Sequence, residues 1–382
     1  MEYKTLGELC DVVSGGTPSR SKQEYWNGDI PWIKIGNIKS KYVSEADEFI
    51  TEAGLSGSSA KMLKKGTILY TIFATLGEAG VLTIDACTNQ AIAGISIKDE
   101  SVIDRGYLFY YLKSKKNYVN EVGRGVAQNN INMSILRGFE VPIRKLHEQQ
   151  EITNILDKTS SIIEGRRQEL DKLDELIKAR FVEMFGDPVN NSKSFVKEEL
   201  GNVCTKITDG THDTPERYSE GFLLITGKNI RAFGIIYDDV EYVSEEDHKV
   251  IYARCNPEYE DVLYTNIGVN YGTACLNDLQ YEFSMKNVAL LKPDRSRING
   301  YYLWICLNLM RDYILRMNQV GGAQTFMGLA TIKKIVIPIP PIELQNSFID
   351  FIKQVDKSKV ALQKALDETQ TLFDSLMQKY FE

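Results

Sequence analysis

Two stretches of the chain place apolar residues at alternating steps of four and three. From Ile152 the positions Ile152, Leu156, Thr159, Ile163, Arg166, Leu170, Leu173, Ile177, Arg180 and Met184 keep that step without a break. Adding 196 to each gives Phe348, Ile352, Val355, Lys359, Leu362, Leu366, Thr369, Phe373, Leu376 and Tyr380. A 4-3 step is what an α-helix shows when it buries one seam, so the pattern predicts two long helices in matching register. Roughly 33 residues at about 1.5 Å each make a rod on the order of 50 Å. Ile155, Ile162, Leu176 and Phe181 widen the first stripe beyond a narrow seam. Arg166, Arg180 and Lys359 interrupt it, at a cost in stability but with a gain in register. Two matched seams in one chain need partners. The expectation is that the helices pair with each other, antiparallel if a pseudo-two-fold relates them; the alternative is that each packs back on its own domain.

Between the seams the pattern changes to short strand-like runs, such as DIPWIKIGNI (29–38) and KKGTILYTI (64–72), with a helical RGYLFYYLKSK (105–115). These runs recur too. Residues 1–186 lie over 195–382 with an offset drifting only from 194 to 196. Leu6-Gly7 falls on Leu200-Gly201, Leu69-Tyr70-Thr71 on Leu263-Tyr264-Thr265, and Val141-Pro142-Ile143 on Ile337-Pro338-Ile339. The predicted fold class is therefore α+β, with two pseudo-repeated mixed α/β domains, each followed by a long helix, and the helices paired as an antiparallel coiled coil. The boundaries are 1–142 for the first domain, 143–186 for its helix, 187–338 for the second domain and 339–382 for its helix.

Composition narrows the class. A hydrophobic share of 43% and a charged share of 25% are ordinary for a globular chain. No apolar run approaches the roughly 18 residues of a membrane span, and MEYKTLGELCDVV has no apolar leader core, so a cytoplasmic protein without a membrane partner is expected. The six cysteines contain no CxxC pair; reduced, structural thiols are expected rather than a metal site. The net charge of −7 argues against a generic polyanion binder. Neither domain is basic overall, so any DNA contact must come from local basic loops.

The loops carry a resemblance. GGTPS, YW and GDIPW in the first domain, DGTHDTP and GFLLITGKNI in the second, GVAQNNI, and the proline-bearing entry to each helix together resemble the specificity subunit of type I DNA restriction–modification systems. The resemblance covers essentially the whole chain. It implies a subunit without catalytic activity, whose domains each read one half of a bipartite, asymmetric sequence in double-stranded DNA. The paired helices would set the unread spacer and dock two copies of the methylation subunit, and a restriction subunit would join that assembly. No cofactor is expected on this chain; S-adenosylmethionine belongs on the methylation subunit. Two similar domains on a rod suit half-sites presented about one helical turn apart, roughly 34 Å.

Readers of base edges usually sit on loops held by a rigid scaffold. The candidates in the first domain are Thr17, Ser19, Arg20 and Lys22, then Lys34 and Asn37, then Gln128 and Asn129. Their positional counterparts are Thr211, His212 and Thr214, then Lys228 and Asn229, then Gln324 and Thr325. Arg can grip guanine through a fork of two donors, Asn and Gln can grip adenine, and Ser, Thr and Lys often hold phosphates. The helix seam and partner surface is assigned to Ile152, Leu156, Ile163, Leu170, Leu173 and Ile177, with Ile352, Val355, Leu362, Leu366 and Phe373 on the second helix. The loops SRSKQEYWN and DTPERYSE differ in chemistry, so the two half-sites should differ in sequence.

Two other readings compete. Asn256-Pro257-Glu258-Tyr259 resembles the loop in which an amino-methyltransferase holds its target base, but NPEYEDVLYT falls on LKKGTILYT and so reads as the turn before a strand. No catalytic residue is assigned. A coiled-coil interaction scaffold that binds only protein also fits the acidic charge; sequence-specific, salt-sensitive binding to duplex DNA separates it from a DNA reader.

Overall fold

Each repeat opens on a strand that pairs with the strand feeding its long helix. Glu2–Thr5 runs antiparallel to Glu140–Ile143, and Val196–Glu199 to Val336–Ile339. Pro142 and Pro338 sit in these two-stranded clasps, where an unpaired edge tolerates a residue without an N–H. Their carbonyls are used: Tyr107 Oη donates to Pro142 O at 2.9 Å, and Tyr302 Oη to Pro338 O at 2.8 Å. The computed structural model describes residues 2–123, 130–318 and 326–381.

Mixed α/β architecture recurs in both halves. In the first, a five-stranded sheet has the order Cys10–Ser14, Ile92–Ile97, Ile68–Thr71, Ala79–Leu82, Tyr42–Val43. A three-stranded sheet places Trp26–Ile33 between Glu48–Ile50, antiparallel, and Cys87–Thr88, parallel. The second half has a four-stranded sheet, Cys204–Asp209, Ala289–Pro293, Val262–Tyr264, Ala274–Leu276. Its three-stranded sheet places Phe222–Thr226 between Glu241–Val243, antiparallel, and Ser284–Lys286, parallel.

The helices Arg105–Ser114 and Gly300–Leu309 are buried on nearly every side, which explains why their sequences lack a polar face. Asp104 and Asn299 cap them, accepting from the N–H of Tyr107 at 2.9 Å and of Tyr302 at 2.8 Å.

Compactness divides the chain differently from the repeat. One unit is Met1–Gly165 with Ala365–Glu382; the other is Arg166–Lys364. Each long helix, Leu146–Phe185 and Ile342–Phe381, is 40 residues, about 60 Å, and contributes to both units. The helices begin earlier than the 4-3 pattern alone indicates, because a buried glutamine anchors each first turn. Gln149 Oε1 accepts from Asp104 N–H at 2.8 Å, while its amide donates to Val102 O and Arg144 O, both at 2.9 Å. Gln345 repeats the network with Asn299 N–H at 3.0 Å, Arg297 O at 3.1 Å and Pro340 O at 2.9 Å.

Within the first unit, Ile152, Leu156, Thr159 and Ile163 are buried on the first helix, and Leu366, Phe373 and Phe381 on the second. The Phe381 ring lies 5.1 Å from that of Tyr107, and Phe373 lies 6.1 Å from Tyr110. Within the second unit, Ile177, Phe181 and Phe185 share a core with Phe348, Ile352 and Val355. Phe348 lies 5.6 Å from Phe181 and 5.4 Å from Phe185, and Asp174 pairs with Lys359. That pair gives the seam lysine a partner, although burial pushes the Asp174 carboxyl above its ordinary range. Leu170, Leu173 and Leu362 are half-buried. At the helix ends the buried residue is Phe185 or Phe381, one position beyond the Met184 and Tyr380 expected from a strict 3.5-residue repeat. A helix of 3.6 residues per turn drifts in that direction.

Candidate nucleic-acid interface

The first candidate loop leaves its strand at Gly15, whose N–H donates to Ile92 O at 3.1 Å; Gly16 N–H follows with Thr88 O at 2.9 Å. The backbone is pressed so close that a Cβ on Gly15 would lie 2.2 Å from Asn89 O. Gly210 is the equivalent, its N–H donating to Val288 O at 3.1 Å and a Cβ there falling 2.0 Å from Met285 O. Both glycines therefore seat a loop against a strand. Matched through these bonds, Gly15 corresponds to Gly210, so Thr17 corresponds to His212 rather than to Thr211.

Two tryptophans hold the first loop. Trp32 Nε1 donates to Gly16 O at 3.0 Å and Trp26 Nε1 to Ser19 O at 3.1 Å, and the indoles meet edge to face at 5.1 Å. Arg20 stacks on Trp26 at 3.7 Å from the ring centre and pairs with Glu48 at 2.5 Å. Lys34 reaches the same carboxylate at 2.5 Å. Lys34 first, and Arg20 after it, hold the Glu48 carboxyl below its ordinary range. Lys22 donates to Tyr25 Oη at 2.8 Å, Ser19 and Ser21 share a hydroxyl bond at 2.9 Å, and Thr17 donates to Gln90. Ser19, Arg20 and Lys22 are exposed.

The second loop is held by a buried carboxylate. Asp209, only 4% exposed, accepts from Arg254 and lies 2.8 Å from His212 Nε2, while His212 Nδ1 faces Asn287 Oδ1 at 3.3 Å. Thr211 Oγ1 accepts from Asp213 N–H at 3.1 Å, and Thr214 accepts from Lys286. Arg217 pairs with Glu241, and Lys228 with Asp239 at 2.9 Å and Glu241 at 3.4 Å.

The asparagines take a different part from the one their chemistry suggests. Asn229 is 2% exposed. Its Oδ1 accepts from Thr226 N–H at 3.0 Å and Thr226 Oγ1 at 2.9 Å, and its amide donates to Ile236 O at 3.1 Å. With both edges committed inside the protein, it shapes a turn and offers nothing to a base. Asn37 makes the matching bond, accepting from Lys34 N–H at 2.9 Å. Thr226 is thus the counterpart of Lys34, and Lys228 reaches the glutamate from a different position. Gln128, Asn129, Gln324 and Thr325 lie outside the described residues. Arg217, Arg254, Lys286 and Asp209 escaped sequence reasoning; the acidic Asp209 was a signal, since a carboxylate beside a basic loop tends to organise it.

The NPEY segment is architectural. Asn256 ends the helix Glu245–Cys255 at a left-handed φ of 39° and accepts from Lys206 at 2.8 Å. The turn then buries Asp261 against Lys292 at 2.7 Å and feeds the strand Val262–Tyr264. The described residues contain no group of three His, Cys, Asp or Glu that could hold a metal, and no helix long and apolar enough to cross a membrane.

Comparison with known proteins places the repeat in context. A family model described as the type I restriction modification DNA specificity domain matches residues 1–174 and again 193–369. The chain is 24% identical over 404 aligned residues to the type I restriction enzyme MjaIX specificity subunit of Methanocaldococcus jannaschii, covering 99% of this chain and 92% of that protein. It is 30% identical over 182 residues to the EcoR124I/EcoR124II specificity subunit of Escherichia coli, covering 45% of each. Among solved structures, the S subunit of a type I restriction–modification system from M. genitalium shares the fold, with a TM-score of 0.58 at 17% identity over 100% of this chain and 96% of that one.

Proposed function

The chain belongs to the type I restriction modification DNA specificity family, and we propose that it reads a bipartite, asymmetric target in double-stranded DNA, one half-site per repeat. The observation that carries the reading is that the family model matches twice, once over each repeat with its recognition loop. The loops differ in chemistry: two tryptophans and Arg20 organise the first, Asp209 and His212 the second. Different chemistry on equivalent scaffolds suits two half-sites of different sequence. Each loop offers cations although neither domain is basic overall, so specificity rests on local contacts.

In this reading the chain is the non-catalytic subunit of a cytoplasmic complex. Its long helices pair antiparallel as a coiled coil, set the unread spacer, and dock two methylation subunits that carry S-adenosylmethionine; a restriction subunit completes the assembly. Support for the pairing comes from the second unit, where Phe185 and Phe181 meet Phe348 while Asp174, earlier on the first helix, meets Lys359, later on the second. Support for docking comes from Ile155 and Ile162, one heptad apart and 41% and 48% exposed. Changing both to Glu is expected to weaken association with the methylation subunit about tenfold or more and leave the thermal midpoint of this chain unchanged. A midpoint that falls in step with affinity would assign them to the chain's own core.

The decisive experiment is a genome-wide methylation map of cells expressing this chain with its methylation partner. A single asymmetric bipartite motif that disappears without this chain is the expected result. A contiguous motif, or none with an active partner, would favour the protein-binding scaffold.

A further inference from the structure

We propose that one strand glutamate in each repeat, Glu48 and Glu241, is a positioning residue that holds an arginine of the recognition loop and a lysine just beyond the next strand in the geometry that reads DNA, and that Arg217 thereby joins the specificity-determining residues of the second repeat. The proposal rests on the DNA-reading function argued above.

The same arrangement is built twice from residues that do not align. Glu48 lies opposite Trp32, which pairs on its other side with Cys87; Glu241 lies opposite Leu224, which pairs on its other side with Ser284. The two glutamates thus occupy one topological position. Arg20 and Lys34 converge on Glu48, both at 2.5 Å, and Arg217 and Lys228 converge on Glu241, with Lys228 shared between Glu241 at 3.4 Å and Asp239 at 2.9 Å. In both repeats the oxygen that faces the arginine, Oε2, is shielded from solvent. Yet Arg20 is five residues beyond Gly15 and Arg217 seven beyond Gly210, while Lys34 precedes the turn asparagine by three residues and Lys228 by one. Descent by duplication explains the glutamates; it does not explain why arginine and lysine reach them from shifted positions.

Stability is a poor explanation, because ion pairs whose cations lie at the surface contribute little. A carboxylate on a surface that meets phosphates is also a liability, since it repels them. What it supplies is orientation. A guanidinium discriminates guanine, or grips a phosphate with two donors, only when its plane is fixed. Glu48 fixes that plane together with the Trp26 face 3.7 Å away. Two cations around Glu48 leave the first site with a net positive charge for the backbone, whereas in the second Asp239 joins Glu241 and balances Arg217 and Lys228.

The test uses the full chain assembled with its methylation partner, and duplexes carrying the mapped motif or single-base changes in either half. For Glu48→Gln, discrimination against changes in one half-site falls about tenfold or more and is kept in the other. For Glu241→Gln the halves exchange roles. Binding to unrelated duplex stays equal or tightens, because a negative charge has been removed. Arg20→Lys and Arg217→Lys keep the charge and lose the fork; they give the same reciprocal pattern and decide the matter should a Gln variant fail to assemble. Undiminished discrimination in both halves, or equal loss in both, overturns the proposal. A wild-type complex with no bipartite preference overturns the functional reading beneath it, and is told apart because the unmutated chain already fails.

Discussion

Replacing Lys292 with methionine is expected to cost the second repeat about 3–5 kcal/mol at neutral pH, because it strands a buried carboxylate. Asp261 is 2% exposed and has Lys292 Nζ at 2.7 Å; its remaining support is Glu258 N–H at 2.8 Å. Burial already pushes its carboxyl above the ordinary range, and Lys292 is the main force opposing that shift. Without the lysine the folded-state pKa rises further above the unfolded value. The folded variant then binds more protons than the unfolded chain between those two values, so its stability falls as pH rises through the folded pKa and recovers as pH falls below it. The destabilisation should be greatest at neutral pH and shrink on acidification. Amide exchange in Val262–Tyr264 and Ala289–Pro293, compared with wild type at both ends of that range, checks size and sign together. A loss independent of pH would mean that the methionine fails by packing instead of by stranding charge.

Gly15→Val is expected to reduce discrimination in one half-site by at least about a hundredfold and leave the other half intact. The valine Cβ would collide with Asn89 O and Thr88 Oγ1, both at 2.2 Å, so the loop must lift off Cys87–Thr88. Thr17, Ser19 and Arg20 follow within five residues and move with it. On the proposed reading the loop contacts several bases, and lifting it forfeits roughly 1–3 kcal/mol at each of them. The readout is the methylation map: one half of the motif becomes degenerate and the other does not. A motif unchanged on both sides would remove this loop from recognition, while loss of all methylation with intact assembly would mean that the repeats do not read independently.

Much of the architecture could be read from the residues because it was written twice. A strand or helix repeated about 195 positions later is constrained by packing in both places, and the 4-3 seams predicted helices whose buried residues, such as Leu156, Ile177, Ile352 and Leu366, lie where the step puts them. What escaped depends on contacts between distant segments. Gln149 and Gln345 read as ordinary polar residues of a first turn, yet each satisfies a capping residue's N–H from inside the core. Asn37 and Asn229 carry the chemistry of an adenine reader but sit where a turn consumes their oxygens, and only geometry distinguishes the two uses. Arg217 was hidden for another reason. The loops differ in length, so the offset that matched Thr17 with Thr211 set Arg20 against Thr214, whereas the glutamate that each arginine meets lies on a strand that keeps its register.

The division of the long helices between the two units bears on biosynthesis. The unit that starts the chain is closed by Ala365–Glu382, whose Phe381 lies on Tyr107. About 200 residues separate Gly165 from Ala365, so at ordinary synthesis rates of 5–20 residues per second the first unit waits roughly 10–40 s for its final piece. Throughout that interval the tyrosine-rich helix Arg105–Ser114 lacks its aromatic cover. Until Ala365 and the residues after it are made, a nascent chain of this design cannot complete the core that its residues 2–165 began.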